Sequence, residues 1–464
     1  MPVRSSWLAL LVAGTYFMEN LDGTVIATAA PSMATSFGVL PVDLEIGISA
    51  YLLTLGICIP ASGWIADRFG ARGVFASAIA IFTAASVACG FATTLPMFVL
   101  VRVVQGLGGA MMVPVGRLVV LRNTPKTRLV HAIATLTWPA LVAPVLGPAV
   151  GGFFVLHATW RWIFFLNIPL GLVALVVALR IVPADRAPER RPFDGLGFAL
   201  ASSAIALLLW ALEEIGRGDV AWSRALPGVV VGIVLAILAV RHLRRTSSPL
   251  LRLDALRVPT FAATIYGGSL FRMAISAVPF LLPLMFQVGF GIDPFRSGLL
   301  VLAVFAGNLV MKPATTPVLR RFGFRTILAG NGLINVVLLL ACTLLSPTLP
   351  VPIIVVILFV GGLARSMQFT AVNTLAFADV PEEQMSSANT LFNTVTQLSM
   401  GLGIALGAIG IRVGRVLAVP LGLASVPAIE HRLAFAIVAV VGILAVMDSL
   451  RLATDAGALV ARGK

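Results

Sequence analysis

The chain has 464 residues, of which 59% are hydrophobic and only 11% charged, and its mean hydropathy is +1.02. Soluble domains carry roughly 25% charged residues. A surface this poor in charge cannot be solvated by water, so a soluble globular protein is excluded and the bilayer must act as solvent. The net charge of +14 does not indicate nucleic acid, because Lys and Arg stand in short clusters between apolar runs with no basic stripe interleaved with aromatics.

About fourteen runs reach the roughly 20 mostly apolar residues that a helical span requires. They cover 7–30, 45–66, 74–94, 97–121, 131–155 and 162–182, then 195–213 and 226–243, then 260–287, 297–319, 326–346, 352–376, 387–411 and 432–451. The first run is read as a retained span, since Glu19 and Asp22 lie near its middle and no small-residue cleavage site follows. With the N-terminus in the cytoplasm, the inside loops collect Arg68 and Arg72; Arg122, Lys126 and Arg128; Arg186, Arg190 and Arg191; Arg241, Arg244, Arg245, Arg252 and Arg257; and Arg320, Arg321 and Arg325. The opposite orientation would reverse that excess, so both termini are placed inside. The three cysteines fall in apolar runs and form neither a disulfide framework nor a metal-binding spacing.

An internal repeat is also visible. Asp67-Arg68-Phe69-Gly70-Ala71-Arg72 follows the second run, and Arg320-Arg321-Phe322-Gly323-Phe324-Arg325 follows the tenth. Both read x-R-F-G-x-R at a span-to-loop junction, which implies two similar six-span halves with an inserted pair between them. The expected fold is therefore all-α and polytopic. It has a six-helix bundle at 1–183, a linker with two extra transmembrane helices at 184–255, and a six-helix bundle with a short tail at 256–464.

Charges at membrane depth are costly enough to be functional hypotheses by default. Glu19 and Asp22, spaced i, i+3, share a helical face with Thr15 one turn earlier. Two carboxylates in a low dielectric cannot both ionise cheaply, which is what a proton-loading site requires. The alternative is that both are permanently ionised in structural pairs with Arg. Arg102, early in the fourth run, needs a carboxylate, a carbonyl or a water-filled cavity. The first-span acids are the obvious partners, and a purely structural role is the other reading. Asp67, in the stretch Gly63 to Arg72, can pair with Arg68, Arg72 or Arg117 and latch one conformation, or simply cap a solvated turn cornered by Gly70. In the fifth run, Ala143, Gly147 and Gly151 form a small-xxx-small face interleaved with Pro144 and Pro148 and followed by Gly152, which permits close approach and kinking. The second half offers Arg272, Lys312, Arg365, Asn308, Asn335, Asn373, Asn393 and Gln397 but no acid well inside a span. Its bases are either cavity contacts or, as at Lys312-Pro313, a kink with a snorkelling amine. The four histidines lie at span ends and receive no role. No Walker sequence, zinc spacing or nucleophile elbow is present, so no cofactor, metal or enzymatic activity is expected.

These residues resemble the major facilitator superfamily, in particular its fourteen-span drug:proton antiporter branch of the EmrB/QacA type. Gly63 to Arg72 is similar to the family motif between spans two and three. Arg102, Gln105, Gly106 and Gly108 are similar to the fourth-span motif, and Gly147-Pro148 with Gly151-Gly152 to the fifth-span antiporter motif. Leu21-Asp22-Gly23-Thr24 with Ala30-Pro31, and Trp160 to Pro169, resemble segments of that branch. The resemblance implies alternating access by two rocking bundles around a midplane cavity. In that scheme protons bind at Glu19 and Asp22 under the influence of Arg102, and Asp67 with its arginines latches the cytoplasmic side. Thr15, Gln105, Arg272, Asn308, Arg365, Asn393 and Gln397 are the candidate cavity residues. A monomer in the cell inner membrane, exchanging lipophilic or cationic small molecules for protons, is the expected unit. The rivals are a metabolite transporter of the same fold and a non-transporting sensor or scaffold.

Overall fold

In the computed structural model, backbone is described for residues 2–184, 191–216, 221–423 and 426–461, and within these the side chains of 2–5, 27, 42, 138–141, 144, 145, 148, 294, 459 and 461 are left aside. Arg186 and Arg190 of the basic loop, and the side chains of Pro144 and Pro148, thus lie outside the described residues. The described residues contain helices and turns but no strand. In hydrocarbon every backbone N–H and C=O must be satisfied within its own segment, and a helix does this.

The first half comprises α1 (Pro2–Phe37), α2 (Glu45–Phe69), α3 (Ala71–Gly90), α4 (Leu95–Asn123), α5 (Leu129–His157) and α6 (Trp162–Ile181). The inserted pair is α7 (Gly195–Gly216) and α8 (Trp222–Arg245). The second half comprises α9 (Pro259–Gly289), α10 (Pro294–Val310), α11 (Lys312–Thr343), α12 (Val351–Ala378), α13 (Met385–Ala418) and α14 (Ile429–Ser449). Among the described residues, eleven helices are long and apolar enough to cross a membrane, and α10 is a shorter apolar helix. The tenth apolar run is divided: α10 ends at Val310, Met311 forms a turn, and the remainder of the run opens α11. α11 then kinks at Gly323, whose φ of +75° is left-handed, as is the φ of +85° at Gly70 between α2 and α3. Both x-R-F-G-x-R segments therefore turn on a glycine in a conformation that a Cβ disfavours.

The two halves pack alike. In the first, α1 lies against α4, α5 and α6, while α2 and α3 pack on α4 and α3 packs on α6; α9 to α14 repeat each of these pairings in the same order. The contacts between halves are also reciprocal. α5 meets α10 and α12, and α13 meets α2 and α4. α7 seals the α2–α13 side, and α8 packs mainly on α7 with Leu226, Val230, Val234 and Ile237 exposed, as befits a lipid-facing helix. Asp194 anchors the pair. It accepts hydrogen bonds from Gly197 N (2.8 Å), Leu250 N (3.2 Å) and His242 Nε2 (2.8 Å). Burial raises the Asp194 carboxyl, but these donors outweigh it and hold it below the usual carboxylate value.

The apolar core is asymmetric along the bundle. At the end carrying Asp67, one cluster joins both halves, including Val12, Phe75 and Leu118 together with Phe324, Phe377 and Phe392. At the opposite end the halves keep separate clusters, one around Phe98 and Trp160 and the other around Phe286 and Phe435. The bundle is thus closed at the Asp67 end and divided at the other.

Candidate functional site

The deepest polar centre is built on α1, α3, α4 and α6. Asp22 and Arg102 are 4% and 0% exposed, and Arg102 Nη1 donates to Asp22 Oδ2 at 2.6 Å. The same nitrogen donates to Gln105 Oε1 at 2.7 Å, one helical turn along α4. Gln105 Nε2 and Asn167 Nδ2 both donate to Asp22 Oδ1, at 3.0 and 3.1 Å. Asn167 also donates to Ser86 Oγ (2.8 Å), which donates onward to the Phe164 carbonyl (3.1 Å). Arg102 Nε reaches the Gly47 carbonyl at 3.4 Å, and the guanidinium lies 4.3 Å over the Tyr51 ring. A buried charge tolerates this depth only when paired and hydrogen-bonded in this way.

Glu19 does not join that pair. It is half-buried beside the Tyr51 hydroxyl, and its Oε2 is buried without a hydrogen-bond partner. The two carboxylates therefore occupy different environments. Asp22 is held by three side chains, whereas Glu19 keeps a bare oxygen. Thr15 is fully buried, and its hydroxyl is spent on the Val12 carbonyl at 2.8 Å.

Contacts at the closed end bring the other motifs together. Asp67 Oδ1 accepts from Arg122 Nη2 at 2.8 Å, so its partner is none of Arg68, Arg72 and Arg117. Arg68 is exposed, Arg72 donates to the Leu179 carbonyl, and Arg117 lies elsewhere. A Cβ on Gly63 would run into Thr390 Oγ1 of α13, so the motif allows α2 to touch the other half. Asn389 Nδ2 donates to the Pro114 carbonyl (2.9 Å), and Lys126 Nζ donates to the Ala378 and Val380 carbonyls (2.8 and 3.0 Å) at the end of α12. Lys312 does not snorkel; its amine donates to Thr137 of α5 (2.8 Å) and Thr370 of α12 (3.0 Å). In α5, Gly147 and Gly151 sit against Thr24 and against Thr28 and Val25 of α1, so this motif packs two helices of one half. Gly152 faces open space.

The second-half candidates are more scattered. Asn308 is buried with both side-chain polar atoms unpartnered, and Arg365 lines a small cavity with Ile275 and Asn335. Asn393 bonds to Asn389, and Gln397 is half-buried one turn farther along α13. Arg272 meets Arg117 of the first half at Phe392. Sequence reading missed Asn167, Tyr51, Phe392, the meeting of Arg117 with Arg272 and the bridging role of Lys126. Asn167 had a signal, being a lone amide within an apolar run.

A family model described as Major Facilitator Superfamily matches residues 12–404, most of the chain. The chain belongs to that superfamily. Its relatives include two proteins named "putative multidrug resistance protein MdtD". One, from Klebsiella pneumoniae strain 342, is 39% identical over 412 residues, covering 88% of this chain and 86% of its own length. The other, from Escherichia coli O17:K52:H18, is 38% identical over 410 residues with the same coverage. Solved structures share the fold at 14% identity. The human organic anion transporter MFSD10 has a TM-score of 0.63, covering 97% of this chain and 98% of its own. The proton:xylose symporter XylE has a TM-score of 0.62, with 96% and 95% covered. This major facilitator protein is a multi-pass membrane transporter of small molecules, not an enzyme.

Proposed function

We propose that this transporter is a proton-coupled exporter of the fourteen-span drug:proton antiporter branch. The observation that carries this reading is the pair of unlike carboxylates on α1, with Asp22 locked to Arg102 and Glu19 left with an unpartnered buried oxygen. A carboxylate that gains or loses a proton changes what Arg102, Gln105 and Asn167 must do, and so biases how α1, α4 and α6 sit. The fourteen-span count is supported by treating α1, α5 and the divided α10–α11 run as spans alongside the inserted pair. The excess of Arg and Lys at the Asp67 end supports placing that end in the cytoplasm of a cell inner membrane. The protein is then outward-open, with protons loading from outside and cargo from inside. One proton moving down ~100 mV supplies about 2.3 kcal/mol, enough for roughly a fiftyfold gradient at 1.4 kcal/mol per decade. Export of a drug-like molecule follows the names of the relatives, and the Gly147–Gly152 motif agrees with it by resemblance.

The test is flux in proteoliposomes under an imposed pH gradient, with ethidium as cargo. Asp22→Asn and Glu19→Gln are expected to abolish acceleration by the gradient while leaving the protein folded. If both variants respond to the gradient as the parent does, the coupling mechanism fails. If the parent moves no cargo in either vesicle orientation, the export reading fails with it.

A further inference from the structure

Around the central interface the charge is unbalanced. Arg102 and Arg272 are buried and Arg117, Lys312 and Arg365 half-buried within the spans, and of these only Arg102 is paired with an acid among the described residues. Two of these bases, one from each half, meet at a single ring. The Arg272 guanidinium of α9 lies 4.5 Å from the centre of Phe392 on α13, and that of Arg117 on α4 lies 5.4 Å from it. Arg117 Nε donates to the Tyr16 hydroxyl at 3.1 Å, and Arg272 Nη1 donates to the Thr264 carbonyl at 3.2 Å. Three of the remaining nitrogens are idle: Arg117 Nη1, Arg272 Nε and Arg272 Nη2 are all buried without a hydrogen-bond partner. No described carboxylate lies within 4.0 Å of either guanidinium.

The idle edge of Arg272 is specific. Nε–H and the neighbouring Nη2–H form the parallel fork that grips a carboxylate with two hydrogen bonds. Arg272 is only 1% exposed, so bulk solvent does not reach this fork. A buried, unsatisfied guanidinium beside a like charge is costly, and a protein retains such a group where a ligand repays it. The pair also spans the two halves at the closed end, so parting the halves there uncovers the fork to the side from which an exporter takes its cargo.

We propose that Arg272 takes the carboxylate of a lipophilic organic acid when the halves part and that Arg117 joins it at Phe392 as they close, the two arginines forming a subsite for that group. The proposal rests on the alternating-access reading above. It adds an anionic cargo class to the lipophilic and cationic one.

The experiment is isothermal titration of the full-length protein in nanodiscs with 1-naphthoate and its neutral isostere 1-naphthamide, without a pH gradient. The parent is expected to bind the acid at least tenfold more tightly than the amide. Arg272→Gln is expected to bring the two within twofold, Arg272→Lys to restore only part of the preference, and Arg117→Gln to reduce it. Asp194→Ala, which lies outside both buried charge centres, is expected to retain it. Equal binding of acid and amide by the parent, or no binding of either, overturns the proposal. So does an acid preference that survives both Arg272→Gln and Arg117→Gln. Displacement of naphthoate by equimolar sulfate would make the site one for inorganic oxyanions and overturn the organic-acid assignment. If Arg272→Gln is not monodisperse, Arg117→Gln and the parent's acid-to-amide ratio still decide.

Discussion

Two buried charge centres lie within one bundle, and they are finished differently. At Asp22 both carboxylate oxygens accept hydrogen bonds, and three side chains converge on them. At Phe392 two guanidiniums approach one ring, and three of their nitrogens have no partner. The first centre lies wholly within one half, pairs its acid with its base, and leaves only Nη2 of the Arg102 guanidinium without a partner. The second exists only because the halves close on each other. A centre in which acid and base are paired suits a role in holding and relaying charge, and one with bases but no acid suits a role in receiving it.

The largest expected effect tests the pairing in the first centre. Asp22→Ala leaves Arg102 buried and uncompensated, and should cost about 3–5 kcal/mol of stability, read as a large fall in thermal midpoint in detergent. An unchanged midpoint would mean that water already solvates Arg102. Gly63→Leu comes next, because a side chain there runs into Thr390 and Ser386 of the other half. Overpacking of this kind costs about 1–3 kcal/mol, borne by the closed arrangement, so a cysteine at Asn389 should become more reactive to a membrane-impermeant maleimide from the Asp67 side. No gain in labelling would remove Gly63 from the closing surface.

Opposite in sign, Arg272→Met should stabilise the ligand-free protein by about 1–3 kcal/mol, since it deletes unsatisfied buried donors. A destabilised Arg272→Met would show that the second centre is satisfied after all and would erase the contrast with Asp22. Asp194→Ala should cost about 1 kcal/mol through loss of the Gly197 and Leu250 hydrogen bonds. Because the Asp194 carboxyl is held below its unfolded value, it stabilises above the unfolded pKa, and that contribution fades as pH falls through the folded one. The variant's deficit should therefore shrink on acidification. The smallest effect is expected for Asp67→Asn. Its pair with Arg122 is partly solvent-exposed and is worth about 0.2–1 kcal/mol, a shift resolvable only as a modest change in maleimide reactivity at Asn389→Cys.

Much of the fold was legible in advance because a bilayer leaves a chain few options. Apolar runs of span length, punctuated by clustered Arg, fix which segments are helices and where they turn, and the paired R-F-G segments reveal the duplication. The division of the tenth run was legible only as the kink that Lys312-Pro313 offered, not as a break held by the Lys312 amine. The turn at Met311 precedes Lys312, whose amine is engaged by Thr137 and Thr370, and that engagement is a tertiary event. At the site, depth dictated that Arg102 needs a carboxylate, a carbonyl or a water-filled cavity and made the first-span acids its obvious partners, but not which of them. Asp22 takes it and Glu19 does not, because Gln105 and Asn167 converge on Asp22 from α4 and α6. The partner of Asp67 was missed because Arg122 stands outside its motif, on the next loop-facing end of α4.

By itself, then, the sequence determined the solvent, the helices and their duplicated order, since these follow from local composition and from backbone groups that each segment must satisfy alone. It also determined which residues would be costly at membrane depth. Only the tertiary structure decided how that cost is met. The pairing of Asp22 with Arg102, the bare oxygen of Glu19, the joined core at the Asp67 end and the meeting of Arg117 with Arg272 all depend on residues from separate helices. No periodicity along the chain encodes which helical faces meet; side-chain packing between elements selects them.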